Sequence, residues 1–271
     1  MTGQALIAMD DINRRAWKDP RSVALFESLR GWTDPGERAA LGFVAAAAKD
    51  EPILDIGVGA GRTVPLLRAI SRDYVAIDYT PELVEACLKR YPSVPVFHGD
   101  ARDLSRFSTG TFQLVVFSFN GFDAVSPRDR EQILREVRRV LRPGGQFLFS
   151  AHNRKGPGYG EKLTLGVYPT RNPFKLAARL GVALAHAGTT VKNYVRYGSL
   201  KEESDDYSVR NASAHNHGIL VHYITLPAQL AQLAAAGFSR VSAVFGNLDA
   251  HALSLDEDTS AMWWFHFVAE A

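Results

Sequence analysis

Short runs of β-branched and aromatic residues alternate with helical segments from residue 51 onward, and this alternation limits the possible folds more than any other feature. It is typical of βαβ units, in which helices connect parallel strands. The pattern predicts strands over 53–56, 74–77, 94–98, 112–117, 146–151, 238–245 and 262–268. We therefore expect a Rossmann-like, doubly wound α/β fold with a sheet of about seven strands, mostly parallel.

Three polar residues before prolines predict where helices begin. Asp34, Thr80 and Ser126 each precede a proline. Their side-chain oxygens can cap a first helical turn, and proline suits the first helical position because its missing N–H has no partner there. Further helices are predicted within residues 10–30 and over 228–236, the latter closed by glycine.

Residues 154–217 interrupt the alternation. They hold ten Lys and Arg against five Asp and Glu, a net charge of +5, and the rest of the chain therefore carries −3. We expect helices over 1–50 that cap the active site, a core formed by 51–153 and 218–271, and a lid over 154–217.

The composition excludes several classes of protein. The 271 residues are 46% hydrophobic and 22% charged, close to the average of globular proteins. A single cysteine, Cys87, cannot form an internal disulfide, which is typical of a reducing compartment. We expect no signal peptide, since the first residues show neither a basic start nor a long enough apolar run, and no stretch of the sequence reaches about 20 apolar residues. We expect a cytoplasmic protein without a membrane partner, and a net charge of +2 argues against nucleic acid.

Residues 54–62 read LDIGVGAGR, a strand that leads through a glycine-rich loop into a helix. Glycines let the backbone approach a ligand closely, and the start of the helix offers free N–H groups. A nicotinamide dinucleotide site requires a further glycine at the position of Arg62, and a P-loop requires Gly-Lys-Ser/Thr, which is absent. The spacing favours a ligand without a pyrophosphate.

Two aspartates end the next two predicted strands. Asp78 is placed to accept both ribose hydroxyls of a nucleoside, and Asp100 can accept from an adenine amino group. Three strand ends would thus meet at one adenosine, although strand-end aspartates also commonly cap the next turn.

This order of motifs resembles the class I S-adenosylmethionine-dependent methyltransferases, over residues 34–152 and 219–271. The resemblance implies that the last strand is antiparallel and that Asp55 holds the methionine amino group. It also implies that Gly57, Gly59 and Gly61 let the backbone pass beside the cofactor. Asp78 would bind the ribose, Tyr79 would pack on the adenine, and Asp100 with the Ala101 backbone would bind the adenine edge. Phe117 would place its backbone carbonyl near the methionine. Arg62 either approaches the methionine carboxylate or lies on the surface of its helix.

S-Adenosylmethionine carries an activated methyl group, so the chemistry needs alignment of the acceptor rather than a metal. His152, just past the fifth predicted strand, is our candidate for the base, since open α/β sheets bind ligands at this edge. The alternative is a histidine that only bonds a loop. Asn120, after the fourth strand, either orients the substrate or is an ordinary turn residue.

The predicted lid is rich in aromatic residues, which can exclude water and orient flat acceptors. They are Tyr159, Tyr168, Phe174, Tyr194, Tyr197 and Tyr207. Its candidate substrate-binding residues are Tyr159, His215 and His217, with Asn153 before it. In an extended segment the two histidines share one face and His222 lies on the other, so we expect no metal site.

Three functions remain open at this point. The first is a methyltransferase that acts on a small acceptor, anionic or aromatic, through a nitrogen or oxygen atom. The second is a tRNA or nucleic-acid methyltransferase, against which the scattered basic residues argue. The third is a cofactor-binding cyclase or regulator that transfers no methyl group, because a fold does not determine a function.

Overall fold

The computed structural model describes residues 3–160, 163, 170–254 and 257–271. Within these residues the chain forms nine helices, one 3₁₀ turn and ten strands. The helices are α1 (Gly3–Lys18), α2 (Pro20–Ser28), α3 (Pro35–Ala45), α4 (Val64–Ile70), α5 (Pro81–Arg90), α6 (Pro127–Val140), α7 (Pro173–Tyr197), α8 (Ala214–His217) and α9 (Leu226–Ala235). The strands are β1 (Ile53–Ile56), β2 (Tyr74–Asp78), β3 (Val96–His98), β4 (Phe112–Phe117), β5 (Leu141–Asn153), β6 (Glu202–Glu203), β7 (Tyr207–Ala212), β8 (Ile219–Ile224), β9 (Arg240–Gly246) and β10 (Trp264–Glu270), and the 3₁₀ turn is Gly121–Ala124.

The central part of the sheet has the order β3-β2-β1-β4-β5-β10-β9. The first five of these strands run parallel, with Asp55 of β1 beside Ala76 of β2 and Val116 of β4. Strand β10 lies between β5 and β9 and is antiparallel to both. The Rossmann-like α/β fold with an antiparallel last strand is confirmed.

The sheet has ten strands rather than about seven. Strands β6, β7 and β8 form an antiparallel group, and β8 joins β5 in parallel where His152 faces Tyr223. This pairing begins just beyond the end of β4, whose Phe117 faces Phe149 of β5. Strands β6 and β7 of the predicted lid therefore extend the central sheet, together with β8 from the predicted core segment 218–271. The two lid strands are short, mostly polar and without a regular period, so they left no pattern in the sequence.

Helix α6 illustrates what holds the helices on the sheet. Ile133, Leu134, Val137 and Val140 are fully buried in one cluster with phenylalanines of β4 and β5. Their spacing of three or four residues puts them on one face of the helix. Burial of each such side chain contributes about 1.5–3 kcal/mol, so this face anchors α6 firmly.

Distant contacts hold the N-terminal capping residue of α3. Asp34 accepts a hydrogen bond from the Glu37 N–H at 2.8 Å, as the sequence predicts, and also from the side chains of Trp264 and His266 on β10. Although burial alone would raise the pKa of Asp34, its bonds and the charge of His266 hold it below 3.8. The predicted cap at Ser126 forms too, whereas the Thr80 hydroxyl makes no such bond.

The amino-terminal helices are attached to the core by a buried side chain. Asn13 of α1 donates to the carbonyls of Ala124 and Leu220 and accepts from the Leu220 N–H, at 2.7–2.9 Å. These bonds satisfy both ends of the amide and hold α1 between the 3₁₀ turn and β8. Among the described helices, each is too short or too polar to cross a lipid bilayer.

Candidate functional site

A cavity opens at the carboxyl ends of β1, β2, β3 and β4. Its wall includes nine of the residues predicted from the sequence: Gly57, Gly59, Arg62, Asp78, Tyr79, Asp100, Ala101, Phe117 and Asn120. The chain thus brings together residues from position 57 to position 120. Trp17, Phe26 and Phe119 add an aromatic cover that sequence reasoning missed, because no local pattern shows which residues of α1 and α2 face the sheet.

The glycine loop needs its glycines for two different reasons. Gly57 and Gly59 have φ of +66° and +56°, in the left-handed region that glycine adopts without strain. A Cβ on Gly57 would lie 2.7 Å from the Phe117 ring, whereas a Cβ on Gly59 would meet nothing within 4 Å. Gly59 therefore exposes bare backbone to the cavity. Gly61 packs closely against Tyr91 and is not part of the wall.

Asp78 is buried at the end of β2. Its carboxylate accepts hydrogen bonds from the backbone N–H groups of Gly59 at 2.9 Å and Thr80 at 2.8 Å. Burial raises the pKa of Asp78, and these bonds oppose the rise. Each carboxylate oxygen has two lone pairs, so both can accept further hydrogen bonds from a ligand in the cavity.

Asp100 lies in a network of charges that includes α1. Arg102 donates to it from its backbone and its side chain, and Arg14 of α1 approaches it at 3.2 Å. Burial alone would raise the pKa of Asp100, but the bonds to Arg102 and the two positive charges hold it below 3.8. The Arg14 guanidinium lies 4.3 Å from the centre of the Tyr79 ring. Helix α1 therefore covers this end of the cavity.

Arg62 is buried at the opposite end of the cavity, so the interpretation as a surface residue is wrong. It makes a two-pronged ion pair with Glu37 at 2.7–2.8 Å and donates to the Trp32 carbonyl and the Ser118 hydroxyl. Ser118 also bonds Glu37 through a short contact. The terminal nitrogens of Arg62 are therefore already engaged.

Asp55, which the resemblance implies holds the methionine amino group directly or through water, lies behind the wall of the cavity. Its neighbour Ile56, not Asp55, lines the cavity. The Asp55 carboxylate accepts from the hydroxyls of Thr63 at 2.5 Å and Tyr74 at 2.7 Å. Burial raises the pKa of Asp55 to about 6, against the effect of both bonds. The residue supports the glycine loop from behind.

His152 lies outside the wall of this cavity, at the end of β5. Its Nδ1 is 2.8 Å from Asp123 Oδ2, which also accepts from the His152 backbone N–H at 2.6 Å. Asp123 is fully buried and paired with the equally buried Arg130 at 2.5 Å. A carboxylate at Nδ1 favours the proton on that nitrogen and leaves Nε2 able to accept one.

Asn120 borders the cavity in a left-handed conformation, with φ of +58°. Its backbone N–H donates to Ser150 at 2.7 Å. Its side-chain oxygen Oδ1 is buried and has no hydrogen-bond partner among the described residues. A buried acceptor without a partner is costly unless a ligand or water satisfies it, so this atom is available to a bound molecule.

His215 and His217 lie in a turn and not in the extended segment that we considered from the sequence. Residues 215–217 all have φ between +53° and +56°, which makes a tight left-handed turn. His215 packs 4.8 Å from Trp17 and bonds Ser22 at 2.8 Å, next to the cavity cover. Burial lowers its pKa to about 4. His217 is buried against Tyr194, away from the cavity.

The remaining candidates, Tyr159 and Asn153, do not line the cavity. The Tyr159 hydroxyl contacts Glu203 and Ser208 within the insertion, and the Asn153 amide donates to the backbone carbonyls of Thr259 and Met262. Tyr168 lies outside the described residues. Within the residues that are described, no group of His, Cys, Asp or Glu could hold a metal ion. Cys87 is buried, and burial raises the pKa of its thiol to about 12.

Comparisons with known proteins agree with this geometry. Residues 53–145 match a family described as a methyltransferase domain. A probable S-adenosylmethionine-dependent methyltransferase of Mycolicibacterium smegmatis is 32% identical over 141 residues, 52% of each chain. A demethylmenaquinone methyltransferase of Clavibacter sepedonicus is 33% identical over 41% of this chain and 45% of its own. The chain thus spans about half the length of these relatives.

Solved structures share the fold over most of the chain. An S-adenosylmethionine-dependent methyltransferase from Mesorhizobium loti has a TM-score of 0.57 at 17% identity, over 87% of this chain and 97% of its own. The 1,6-didemethyltoxoflavin-N1-methyltransferase of Burkholderia thailandensis, bound to 1,6-didemethyltoxoflavin and S-adenosylhomocysteine, has the same TM-score at 14% identity, over 96% and 87%. At such identities the likeness establishes the fold.

Proposed function

The chain carries a class I S-adenosylmethionine-dependent methyltransferase domain, and we propose that it transfers the cofactor's methyl group to a small molecule through a nitrogen or oxygen atom. One observation supports this most strongly: three neighbouring strand ends contribute Gly59, Asp78 and Asp100 to the wall of one cavity. An adenosine with an attached amino acid needs an acceptor for its ribose, an acceptor for its adenine and bare backbone between them.

The cavity fits such a ligand in its chemistry, with acceptors and bare backbone on one wall. Asp78 has lone pairs for two hydroxyls, and the space beside Gly59 admits a ligand against the backbone. Asn120 offers a buried oxygen without a partner. Arg62 is neutralised by Glu37, so we assign it to holding this end of the cavity together.

The reaction mainly requires the protein to align the acceptor with the methyl group. When bound, S-adenosylmethionine supplies a methyl group on a positive sulfur, which keeps the electron pair of the broken C–S bond while the acceptor's lone pair forms the new bond. Trp17, Phe26 and Phe119 cover the cavity and exclude water. Orientation alone can lower such a barrier by up to about 7–11 kcal/mol.

A hydroxyl acceptor must also lose its proton. We propose that His152 takes it at Nε2, since Asp123 engages Nδ1 at 2.8 Å. A base of this kind contributes about 10²–10⁴-fold to the rate. His152 stands outside the cofactor cavity, so the acceptor would lie between the two, above the 3₁₀ turn that carries Asp123.

A small acceptor is supported by two kinds of observation. One structural neighbour is bound to the small heterocycle 1,6-didemethyltoxoflavin, and one relative is named for demethylmenaquinone. In this chain the cover over the cavity is aromatic, which suits a flat acceptor. The net charge of the whole chain is only +2, and nucleic-acid-binding domains are usually far more basic.

Calorimetric titration with S-adenosylhomocysteine tests the cofactor assignment. Replacing Asp78 by Ala removes two charge-assisted hydrogen bonds, each worth about 1.5–3 kcal/mol, so the affinity should fall by at least about a hundredfold. Asp103→Ala is the matched control, because this carboxylate is exposed and lies outside the cavity wall. Equal affinities for the Asp78→Ala and Asp103→Ala proteins would remove the basis of the proposal.

Turnover distinguishes the three functions considered from the sequence. Release of S-adenosylhomocysteine should be measured with a panel of phenols, hydroxyquinones and aromatic amines, and in parallel with bulk tRNA. We expect turnover with a member of the small-molecule panel. Methylation of tRNA alone would favour the nucleic-acid enzyme, and tight cofactor binding without any methyl transfer would favour a regulator.

A further inference from the structure

Helix α7 carries two apolar stripes on different faces. Residues spaced by seven are buried against the rest of the chain: Ala183, Thr190 and Tyr197. Residues spaced by four or seven form a second stripe that is exposed by 45%, 70%, 43% and 72%: Leu180, Leu184, Val191 and Val195. With 3.6 residues per turn these four lie along one side of the helix. We call them the outer stripe.

An outer stripe of this kind is unusual on a water-facing helix. A surface helix normally buries its single apolar stripe and turns polar residues outward. Phe174, at the start of α7, is 85% exposed and adds a large aromatic side chain near this end of the helix. Contiguous exposed apolar side chains mark places where another molecule binds.

The charges around the outer stripe have a single sign. Residues 170–201 contain no Asp or Glu and six basic residues: Arg171, Lys175, Arg179, Lys192, Arg196 and Lys201. Because the whole chain carries +2, everything outside this segment sums to −4. The exposed apolar side chains therefore belong to a segment in which positive charge is concentrated.

This charge pattern indicates which kind of molecule binds the outer stripe. A second copy of the helix would bring its four positive charges against the four of the first, which opposes self-association. An anionic lipid surface instead accepts apolar side chains at the boundary of its acyl chains and basic side chains among its head groups. We propose that α7 docks the protein on the surface of an anionic membrane, with the outer stripe inserted at the interface.

This proposal revises one expectation drawn from the sequence. A membrane partner was not expected, because the sequence lacks a segment that could span a bilayer. A helix that lies in the plane of the membrane needs no such length or overall apolarity. Its basic side chains keep their charged ends in the aqueous layer, while their aliphatic parts lie beside the apolar region.

Co-sedimentation of the full chain with lipid vesicles tests the proposal. We expect binding to vesicles of phosphatidylcholine and phosphatidylglycerol in equal parts, weakening as the salt concentration rises, and little binding to pure phosphatidylcholine. Leu184→Glu should weaken binding at least about tenfold, since it places a charge in the outer stripe. The matched control is Leu248→Glu, at a side chain that is 50% exposed but lies outside the insertion.

A second variant helps to distinguish a loss of vesicle binding from misfolding. Lys175→Glu combined with Lys192→Glu changes two exposed charges, leaves the outer stripe intact and should also abolish binding to the anionic vesicles. Retained affinity for S-adenosylhomocysteine shows that each variant is folded. The proposal is overturned if the natural chain stays in the supernatant with anionic vesicles. It is equally overturned if Leu184→Glu binds them like Leu248→Glu, or if light scattering finds a dimer that Leu184→Glu dissociates.

Discussion

The cofactor cavity and the insertion are built by different kinds of contact. In the cavity, the glycine loop, Asp78 and Asp100 each lie at the end of a strand or within two residues of it, so the parallel sheet brings them to one edge. In and beside the insertion, β7 pairs with β6 and β8, β8 also joins the end of β5, and α7 leaves an apolar stripe exposed. Residues fixed by adjacent backbone can be located from local patterns, and residues fixed by distant partners cannot.

Two of the three histidines proposed from the sequence follow the same division. His152 ends a core strand, as expected, and its ring is held by the buried Asp123. His215 lies in a left-handed turn that no sequence motif predicts, and it packs on Trp17 of a helix far away in the sequence. The first position was predictable from strand periodicity, whereas the second depended on how α1 packs over the insertion.

The largest expected effect concerns these histidines. Replacing His152 by Ala should lower turnover of a hydroxyl acceptor by about 10²–10⁴-fold, because the proton then has no acceptor in place. Affinity for S-adenosylhomocysteine should stay within about threefold of the natural value, since His152 lies outside the cavity wall. Steady-state kinetics and calorimetry measure the two quantities.

His215→Ala provides the comparison from the insertion. It removes a ring that packs on Trp17 and Phe26, so we expect a weaker effect on turnover than that of His152→Ala. A greater loss of turnover in His215→Ala would assign the base to the insertion and contradict our assignment of His152.

An intermediate effect is expected at Asp55, behind the glycine loop. Its pKa is raised to about 6 by burial, from 3.8, so the folded state binds a proton more tightly than the unfolded chain. The free energy of unfolding of the natural protein should therefore rise as the pH falls from about 7 to 4. The gain relative to Asp55→Asn should be about 3 kcal/mol, since each tenfold change in proton affinity is worth about 1.4 kcal/mol.

Urea unfolding at a series of pH values measures this difference. Below about pH 4 the carboxyl group is neutral in both states of the natural protein, so the two stability curves should run parallel there. A constant difference between Asp55→Asn and the natural protein from pH 4 to pH 8 would show that Asp55 is ionised in the fold throughout, contrary to this prediction.

The smallest expected effect separates backbone strain from ligand fit. Gly59→Ala and Gly110→Ala both introduce a Cβ at positive φ, +56° and +66°, and neither Cβ meets an atom within 4 Å. Each should therefore lose about 1–2 kcal/mol of stability. Only Gly59 lines the cavity, so only Gly59→Ala should also weaken binding of S-adenosylhomocysteine, by about tenfold. Equal affinities in the two variants would argue against close approach of the cofactor to the loop.

Much of the site could be predicted because its residues stand next to secondary structure with clear patterns. Asp78 and Asp100 were located from strand ends alone, and both line the cavity. The position of Asp55 in its strand was predicted correctly, but its hydrogen bonds with the Thr63 and Tyr74 hydroxyls were not predicted. The direction of a side chain depends on which hydroxyls surround it in the folded chain. Arg62 could not be resolved either, because its partner Glu37 belongs to another helix.

By itself the amino-acid sequence determined the alternation of strands and helices, the order of motifs along the sheet edge and the concentration of positive charge in the insertion. The tertiary structure alone decided that β6 to β8 extend the sheet, that Arg62 is buried against Glu37 and that the outer stripe of α7 faces away from the core. The physical reason is that periodicity reports which residues avoid water, whereas the partner that excludes the water is chosen by contacts between segments far apart in the chain.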